Sequence, residues 1–488
     1  MFEAHGPVEP RVPLVDARVL VLGLGVTGRA VAAALYGRVA SVLTCAPSAD
    51  ADSPLPSDDA QVASLLAKSD LVMVSPGFKP SEPLLVAAAD AGIPVWSEAE
   101  LAWRLRVDRA NGEGPAPWLA ITGTNGKTTT VEMLASILDA AGLSTRAVGN
   151  VGTPLIEAAL DPRLDVLAVE LSSFQLHFSH TLALKASAVL NLAEDHLDWH
   201  GTMEAYAQDK GRIYERVQVA CIYNVADSVT EHLVREADVA EGARAIGFTL
   251  GMPGPGQFGV VGDALVDRAF HMPFDDPDRR LSAAEIATLA DLASSVVEQG
   301  APPPHVIANA LAAAALARAH GVPAKAVRDG LRAFVPGGHR IQQVAQIDGV
   351  AYVNDSKATN AHAAAAALAG FPPGSVVWLA GGLAKGAVFD ELIASRADRL
   401  RAVVLLGVDP EPFTGPLATH APNVPVVRIE PTEAGNLLDG AEVMRRAVAA
   451  AATLAQPGDT VLLAPAGASQ DQFTSYAARG EAFAAAVT

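Results

Sequence analysis

A lysine and three threonines at the mouth of a glycine-containing loop are the residues with the clearest chemistry. Trp118-Leu119-Ala120-Ile121 reads as a strand and Thr122-Gly123-Thr124-Asn125-Gly126-Lys127-Thr128-Thr129-Thr130 as the loop. The stretch 131–141 then reads as an amphipathic helix. Strand, loop and helix start together point backbone N–H groups and the positive end of a helix dipole at one spot, which favours phosphate. Lys127 can reach the outer phosphates of a nucleoside triphosphate, and the Thr128 hydroxyl can bind Mg2+. Gly123 stands only three residues before Gly126, which departs from the standard spacing of such loops. The bland alternative is an ordinary strand-to-helix turn containing Lys-Thr. Glu170 ends the apolar run 166–169 and precedes Leu171-Ser172-Ser173-Phe174-Gln175. A carboxylate at that strand end is placed to hold the metal, unless it is merely solvated.

Asn191-Leu192-Ala193-Glu194-Asp195-His196-Leu197-Asp198-Trp199-His200 follows another strand-like run. His196 and His200 are four residues apart, which raises zinc. Leu197, however, stands where the HExxH pattern needs glutamate, and no third ligand is evident. The acids around His196, with Lys210 downstream, favour a functional histidine over a structural one.

Two further regions carry glycine motifs after strands. Val19-Leu20-Val21-Leu22-Gly23-Leu24-Gly25-Val26-Thr27-Gly28 matches G-x-G-x-x-G. An NAD site wants an acid about 20 residues on. The next strand ends Val42-Leu43-Thr44-Cys45-Ala46, without one. A phosphate-bearing ligand still fits, and an NAD(P)-dependent oxidoreductase stays open as a reading of another class. In the C-terminal third, Tyr352-Val353-Asn354-Asp355-Ser356-Lys357-Ala358-Thr359-Asn360 joins a strand to a helix. Ser356, Thr359 or Asn360 could serve only as caps, whereas Asp355 and Lys357 are less needed for that. Two more such turns are Leu379-Ala380-Gly381-Gly382-Leu383-Ala384-Lys385-Gly386 and the run from Leu462 through Ser469 to Phe473, which leads to Tyr476.

The elements behind these motifs alternate between short apolar, β-rich runs and alanine-rich helical stretches, which reads as α/β with parallel sheets. Polar motifs follow the runs 19–22, 118–121, 166–169, 188–190, 350–353, 376–380 and 461–463. Ligands of open α/β sheets bind at the carboxyl ends of strands, so three loaded edges suggest a site where domains meet. Gly/Pro-rich breaks at 111–117 and 335–338 place domains at about 1–113, 114–336 and 337–488. The stretch 250–304 is less regular, with a hairpin expected at 258–266 and a surface insertion after it.

The chain has 488 residues, half of them hydrophobic and 18% charged, which is globular. A net charge of −19 excludes a general nucleic-acid binder. Two cysteines, Cys45 and Cys221, form no disulfide framework, which fits a reducing cytoplasm. No signal peptide or membrane span is expected.

The loop 123–129, the Glu170-Leu171-Ser172-Ser173-Phe174-Gln175 run and Asn191…Glu194-Asp195-His196-Leu197-Asp198 together closely resemble the Mur ligases. The resemblance spans the whole chain. It implies a Rossmann-like N-terminal domain that binds a UDP-linked substrate, a P-loop-type ATPase central domain and a Rossmann-like C-terminal domain that binds an amino acid. It implies ATP, with Gly123, Thr124, Asn125, Gly126, Lys127, Thr128, Thr129, Asn309, Arg340, Asp355 and Lys357 at the nucleotide. It also implies two Mg2+ sites served by Thr128, Glu170, His196 and Lys210. The lysine matching Lys210 is carbamylated in the family, which turns a cation into an anionic oxygen ligand. Lys127, His196, Lys210 and Lys357 are the implied catalytic residues. Val26, Thr27, Ser75, Pro76, Gly77 and Asn150 match positions that hold the UDP group. The pattern at 465–473 is most similar to members that add D-glutamate to UDP-N-acetylmuramoyl-L-alanine, where Thr359, Lys385, Ser469 and Tyr476 would hold the amino acid. The Asp-Asn-Pro-Arg motif of diamino-acid-adding relatives is absent from the C-terminal domain. Thr44-Cys45-Ala46, the single asparagine of His305-Val306-Ile307-Ala308-Asn309, and Leu383-Ala384 depart from the family pattern. A monomer is the expected form. Another Mur-type or folylpolyglutamate-type ligase, with a different amino acid, is the nearest alternative, and a silent binding protein with retained motifs is a more distant one.

Overall fold

The computed structural model describes residues 9–295, 302–430, 432–433 and 436–488. Its first sheet holds β1 (Arg18–Leu22), β2 (Ser41–Cys45), β3 (Leu71–Val74) and β4 (Val95–Trp96), all parallel, in the order β2-β1-β3-β4. Helices α1 (Val26–Leu35), α2 (Asp59–Leu66), α3 (Pro83–Asp90) and α4 (Glu98–Leu105) alternate with these strands. β3 is buried along its whole length, as a parallel strand covered on both faces must be.

The central sheet has nine strands. They are β5 (Trp118–Thr122), β6 (Thr145–Gly149), β7 (Val166–Glu170), β8 (Ala186–Val189), β9 (Ala220–Asn224), β10 (Arg244–Phe248), β11 (Gln257–Val261), β12 (Ala264–Asp267) and β13 (Ala284–Thr288). The order is β13-β12-β11-β10-β9-β8-β5-β7-β6. Only the pairings β11–β12 and β12–β13 are antiparallel. Its helices are α5 (Lys127–Ala140), α6 (Leu155–Ala159), α7 (Ser173–His177), α8 (Leu197–His200), α9 (Met203–Gly211), α10 (Ser228–Arg235), α11 (Pro304–His320) and α12 (Ala324–Ala333). The expected hairpin at 258–266 is β11–β12, but the stretch read as irregular supplies three strands to the sheet. The helix expected from 131 begins at Lys127, because the chain turns straight from Gly126 into helix.

The third sheet holds β14 (Gln342–Ile347), β15 (Val350–Asn354), β16 (Val376–Gly381), β17 (Leu400–Leu406) and β18 (Val426–Arg428). A two-stranded hairpin, β19 (Thr432–Glu433) with β20 (Asn436–Leu437), precedes its last strand, β21 (Thr460–Ala466). The order is β14-β15-β21-β16-β17-β18, with only β14 antiparallel. Helices α13 (Ala361–Ala369), α14 (Asp390–Arg396), α15 (Glu411–His420), α16 (Gly440–Leu454) and α17 (Tyr476–Val487) accompany it.

Two compact units result. One comprises the described residues of Met1–Leu292 and Val306–Phe334, the other those of Ala293–His305 and Val335–Thr488. Within the first unit, the four-stranded and nine-stranded sheets share apolar packing. Val19, Val21, Trp96 and Leu101 belong to the same buried cluster as Trp118, Leu155, Leu167 and Tyr214. The Gly/Pro-rich break at 111–117 is folded: Arg109 N–H donates to Gly114 O at 2.9 Å, and the rings of Trp103 and Trp118 on either side of it meet edge-on at 5.1 Å. No described helix is long and apolar enough to cross a membrane.

Two buried acids tie these sheets together. Glu100 accepts from His180 N, Thr181 N, Thr181 Oγ1 and Arg104 Nε at 2.6–2.9 Å. Glu98 accepts from Ile156 N at 3.1 Å. Burial raises the Glu98 carboxyl from 4.5 to about 7. The folded chain therefore keeps a proton between these values that an unfolded chain has released. The resulting stability is complete below pH 4.5 and lost as pH rises through 7. Glu98→Gln is expected to flatten this part of the profile, by about 3 kcal/mol across the window. Urea unfolding of both proteins at pH 5 and pH 8 measures it. Parallel profiles would contradict the assignment.

Candidate active site

The phosphate loop is held by hydrogen bonds to the segment after β8 and to its own lysine. Gly126, at φ +83°, caps α5. A Cβ there would lie 2.4 Å from Asn309 Oδ1, so Asn309 on α11 sits directly against the loop. Asn125 N–H donates to Asn191 Oδ1 at 2.9 Å, and Asn191 Nδ2 returns a bond to Asn125 O at 3.1 Å. Thr124 Oγ1 accepts from Ala193 N at 3.0 Å and lies 3.2 Å from Tyr206 OH. Lys127 Nζ donates to Gly123 O and Thr124 O, both at 2.8 Å. Thr128 is buried on the first turn of α5, beside Thr129.

Lys210, on α9, reaches the same loop. Its Nζ is 2.9 Å from Gly123 O and 3.4 Å from Thr122 Oγ1. Two lysine amines thus meet on one carbonyl oxygen. Burial, then the Lys127 charge, push the Lys210 amine well below the usual ammonium value, against the pull of Asp195, Glu170 and Asp209. A neutral amine is what carbamate formation requires.

Strand pairing brings the acids to this edge. Glu170 ends β7 beside Ile121 of β5 and Gly149 of β6. Its Oε1 accepts from Asn150 Nδ2 at 2.9 Å, while Oε2 is buried without a hydrogen-bond partner. An orphan carboxylate oxygen suits a cation. Among the described residues, no group of three or more His, Cys, Asp or Glu side chains is arranged to hold one alone. The fit therefore needs the Thr128 hydroxyl, a modified Lys210 or phosphate oxygens beside Glu170. These are hard oxygen donors, as Mg2+ prefers. His196 caps α8 in the left-handed conformation, at φ 53°, and its ring lies 4.9 Å from that of Phe174. Lys127, Glu170, His196 and Lys210 thus share one sheet edge.

His200 does not pair with His196. Its Nδ1 is 2.9 Å from Asp209 Oδ2 and its Nε2 is 3.0 Å from Ser173 Oγ, so both ring nitrogens are engaged. His177 Nδ1 binds the same Asp209 at 2.9 Å. Burial alone would raise the Asp209 carboxyl, but the bonds from His177 and His200 hold it below the ordinary value. Asp209 and His177 lie 32 residues apart, and no sequence signal joined them.

At the first sheet, Val26 and Thr27 open α1 at the carboxyl end of β1, and Ser75, Pro76 and Gly77 follow the adjacent β3. A Cβ on Gly28 would lie 1.8 Å from Gly23 O, so α1 can approach β1 only through glycine. Ser75 Oγ donates to Gly23 O at 3.1 Å. The sequence showed no acid ending β2, yet Asp52 folds back to it. Its Oδ2 accepts from Thr44 N at 2.8 Å and Thr44 Oγ1 at 2.7 Å. Asn150, expected at the UDP group, is bonded to Glu170 by both its backbone and its side chain.

In the second unit, Asp355 follows β15, and burial lifts its carboxyl to about 7 against the pull of Arg340. Lys357 Nζ lies 5.2 Å from the centre of the Tyr476 ring, within cation–π range. Thr359 N–H donates to Lys357 O at 2.9 Å, and Asn360 caps α13. The turn carrying Lys385, at φ 49°, is joined to the Ser469 turn by reciprocal bonds between Leu383 and Ala468. Arg479, which follows Tyr476 in sequence, had no role assigned to it. Its buried guanidinium donates to Ser356 Oγ, Ser356 O and Gly467 O at 2.9–3.0 Å, fastening the Lys357 loop to the Ser469 loop.

A phosphate loop with paired lysines beside an orphan carboxylate, on a parallel-rich α/β scaffold, fits the nucleoside-triphosphate-using class of proteins. The chain belongs to the Mur ligase family. Residues 121–317 match the Mur ligase middle domain, and residues 339–467 match the Mur ligase glutamate ligase domain. The chain is 55% identical to a UDP-N-acetylmuramoylalanine–D-glutamate ligase of Streptomyces coelicolor, over 96% of this chain and 97% of that protein. The Streptomyces avermitilis ligase of the same name is 56% identical over the same shares. Among solved structures, UDP-N-acetylmuramate–alanine ligase of Thermotoga maritima aligns with a TM-score of 0.54 and 17% identity, covering 96% of this chain and 98% of that one. That is a likeness of fold.

Proposed function

We propose that this chain is an ATP-dependent, ADP-forming ligase that joins D-glutamate to UDP-N-acetylmuramoyl-L-alanine in peptidoglycan precursor synthesis. The convergence of Lys127 and Lys210 on the Gly123 carbonyl, beside the orphan Glu170 oxygen, carries the chemistry. The names of relatives at 55–56% identity support the substrate pair.

A carboxylate is a poor electrophile for an amine in water. Its attack on the γ-phosphate gives an acyl phosphate and ADP. The amine of D-glutamate then adds to the acyl carbon, and phosphate leaves. Lys127 neutralises charge that develops on the transferring phosphoryl group, aided by the N–H groups of Gly126, Thr128 and Thr129, while Thr124 and Asn125 shape the loop after Gly123 through their N–H bonds to Asn191. Bound Mg2+, at two positions served by Thr128, Glu170, His196 and carbamylated Lys210, would supply further charge stabilisation. Asn309, Arg340, Asp355 and Lys357 are assigned to the nucleotide. Val26, Thr27, Ser75, Gly77 and Asn150 are assigned to the UDP group of the acceptor. Thr359, Lys385, Ser469 and Tyr476 are assigned to D-glutamate, whose two carboxylates suit a cation and hydroxyls.

Release of ADP with the UDP-linked acceptor and a panel of amino acids tests this. D-Glutamate is expected to stimulate release, with L-glutamate and diamino acids near background. Stimulation by a different amino acid alone would overturn the substrate assignment.

A further inference from the structure

The groups directed at the cation lie on or beside three short helices, α7, α8 and α9, with Glu170 itself fixed by the pairing of β7 on both sides. Glu170 leads into α7 and Lys210 sits near the end of α9. His196 caps α8, a single turn of four residues. One turn of helix is not self-sustaining. A left-handed histidine persists only where its surroundings impose it.

One buried side chain joins all three segments. Asp209, next to Lys210, accepts from His177 of α7 through Oδ1 at 2.9 Å and from His200 of α8 through Oδ2 at 2.9 Å. An ionised carboxylate only accepts, so each histidine carries its proton on Nδ1. In the neutral ring, His200 Nε2 then accepts from Ser173 Oγ at 3.0 Å, back on α7. The His200 side chain is wholly buried, and Phe174 packs between its ring and that of His196, at 5.6 and 4.9 Å. On α9, Tyr206 meets His200 at 5.0 Å and touches the phosphate loop through Thr124.

We propose that Asp209 is a positioning residue: clamped by His177 and His200, it sets where His196 and Lys210 stand relative to the strand-held Glu170 and thereby the cation affinity of the site. It touches no substrate in this role. Outer groups that orient ligands typically contribute 10–100-fold to metal affinity. The inference rests on the assignment of Glu170, His196 and Lys210 to Mg2+.

Asp209→Asn keeps the shape and one acceptor oxygen but strands one histidine N–H. Mn2+ alone, titrated into the full chain and read by electron paramagnetic resonance, gives the affinity. 13C resonance under labelled bicarbonate gives the Lys210 carbamate. For a variant that melts within a few degrees of wild type, the expected result is Mn2+ binding weakened about tenfold or more, with a reduced carbamate signal. If Asp209→Asn does not fold, Ser173→Ala, which removes only the hydroxyl partner of His200, is expected to weaken Mn2+ binding severalfold. A folded variant with wild-type Mn2+ affinity and carbamate signal overturns the proposal. Failure of the underlying assignment looks different: wild type and Lys210→Ala would then bind Mn2+ equally, and wild type would give no carbamate signal.

Discussion

Lys127→Ala is expected to lower ATP-dependent turnover about a thousandfold or more while leaving the fold intact. The Nζ of Lys127 bonds the carbonyls of Gly123 and Thr124 within its own loop. Removing it should therefore cost little stability. In phosphoryl transfer, however, a preorganised cation acts where charge develops, and single groups of this kind contribute about 100- to 1000-fold. A second effect adds to the first. The Lys127 charge helps keep the neighbouring Lys210 amine neutral, so its loss disfavours the carbamate as well. Steady-state ADP release with saturating acceptor and D-glutamate measures the outcome. Unchanged turnover would remove Lys127 from the phosphate role.

Lys210→Ala should be similarly damaging, about 100-fold or more in turnover, with one distinguishing property. If Lys210 acts as a carbamate, it contributes an anionic oxygen rather than a cation. A short carboxylate such as acetate or formate can enter the space left by the truncated side chain and supply that oxygen. Partial recovery of turnover is expected to rise with carboxylate concentration and to level off. Chloride at matched ionic strength should do nothing. If carboxylates fail to restore turnover, the carbamate assignment loses its support, and Lys210 becomes a buried cation bonded to Gly123 O.

The sequence was most legible where a local pattern does local work. The run 118–121, the loop after it and the helix beyond are consecutive, so β5, the phosphate loop and α5 could be read together. Even there the helix began earlier than expected, because the β-branched Thr128, Thr129 and Thr130 do not look helical although Gly126 turns the chain straight into helix. Illegible features were those that depend on pairing across the sheet. Nothing in sequence brings His177 to Asp209, or Asn150 to Glu170. These contacts follow from the order β8-β5-β7-β6, which hydrophobic runs do not encode. Asp52 was missed for a related reason: it returns to β2 through a loop rather than along the strand. The stretch 250–304 looked irregular because short strands of mixed direction, one pair with a register shift at Leu265/Val266, lack sustained alternation.

The apolar cluster that binds β1 and α4 to β5, α6 and Tyr214 has a bearing on how this enzyme can be dissected. The chain offers a tempting place to cut at Asn111-Gly112, yet a fragment ending there loses the partners that bury one side of its core. Excision there would bare Trp96 and Leu101 on one piece and Trp118 and Leu155 on the other, and would leave Glu98 without its Ile156 donor and Glu100 with Arg104 but without His180 and Thr181. A nick that leaves both pieces together is a milder lesion than a truncation.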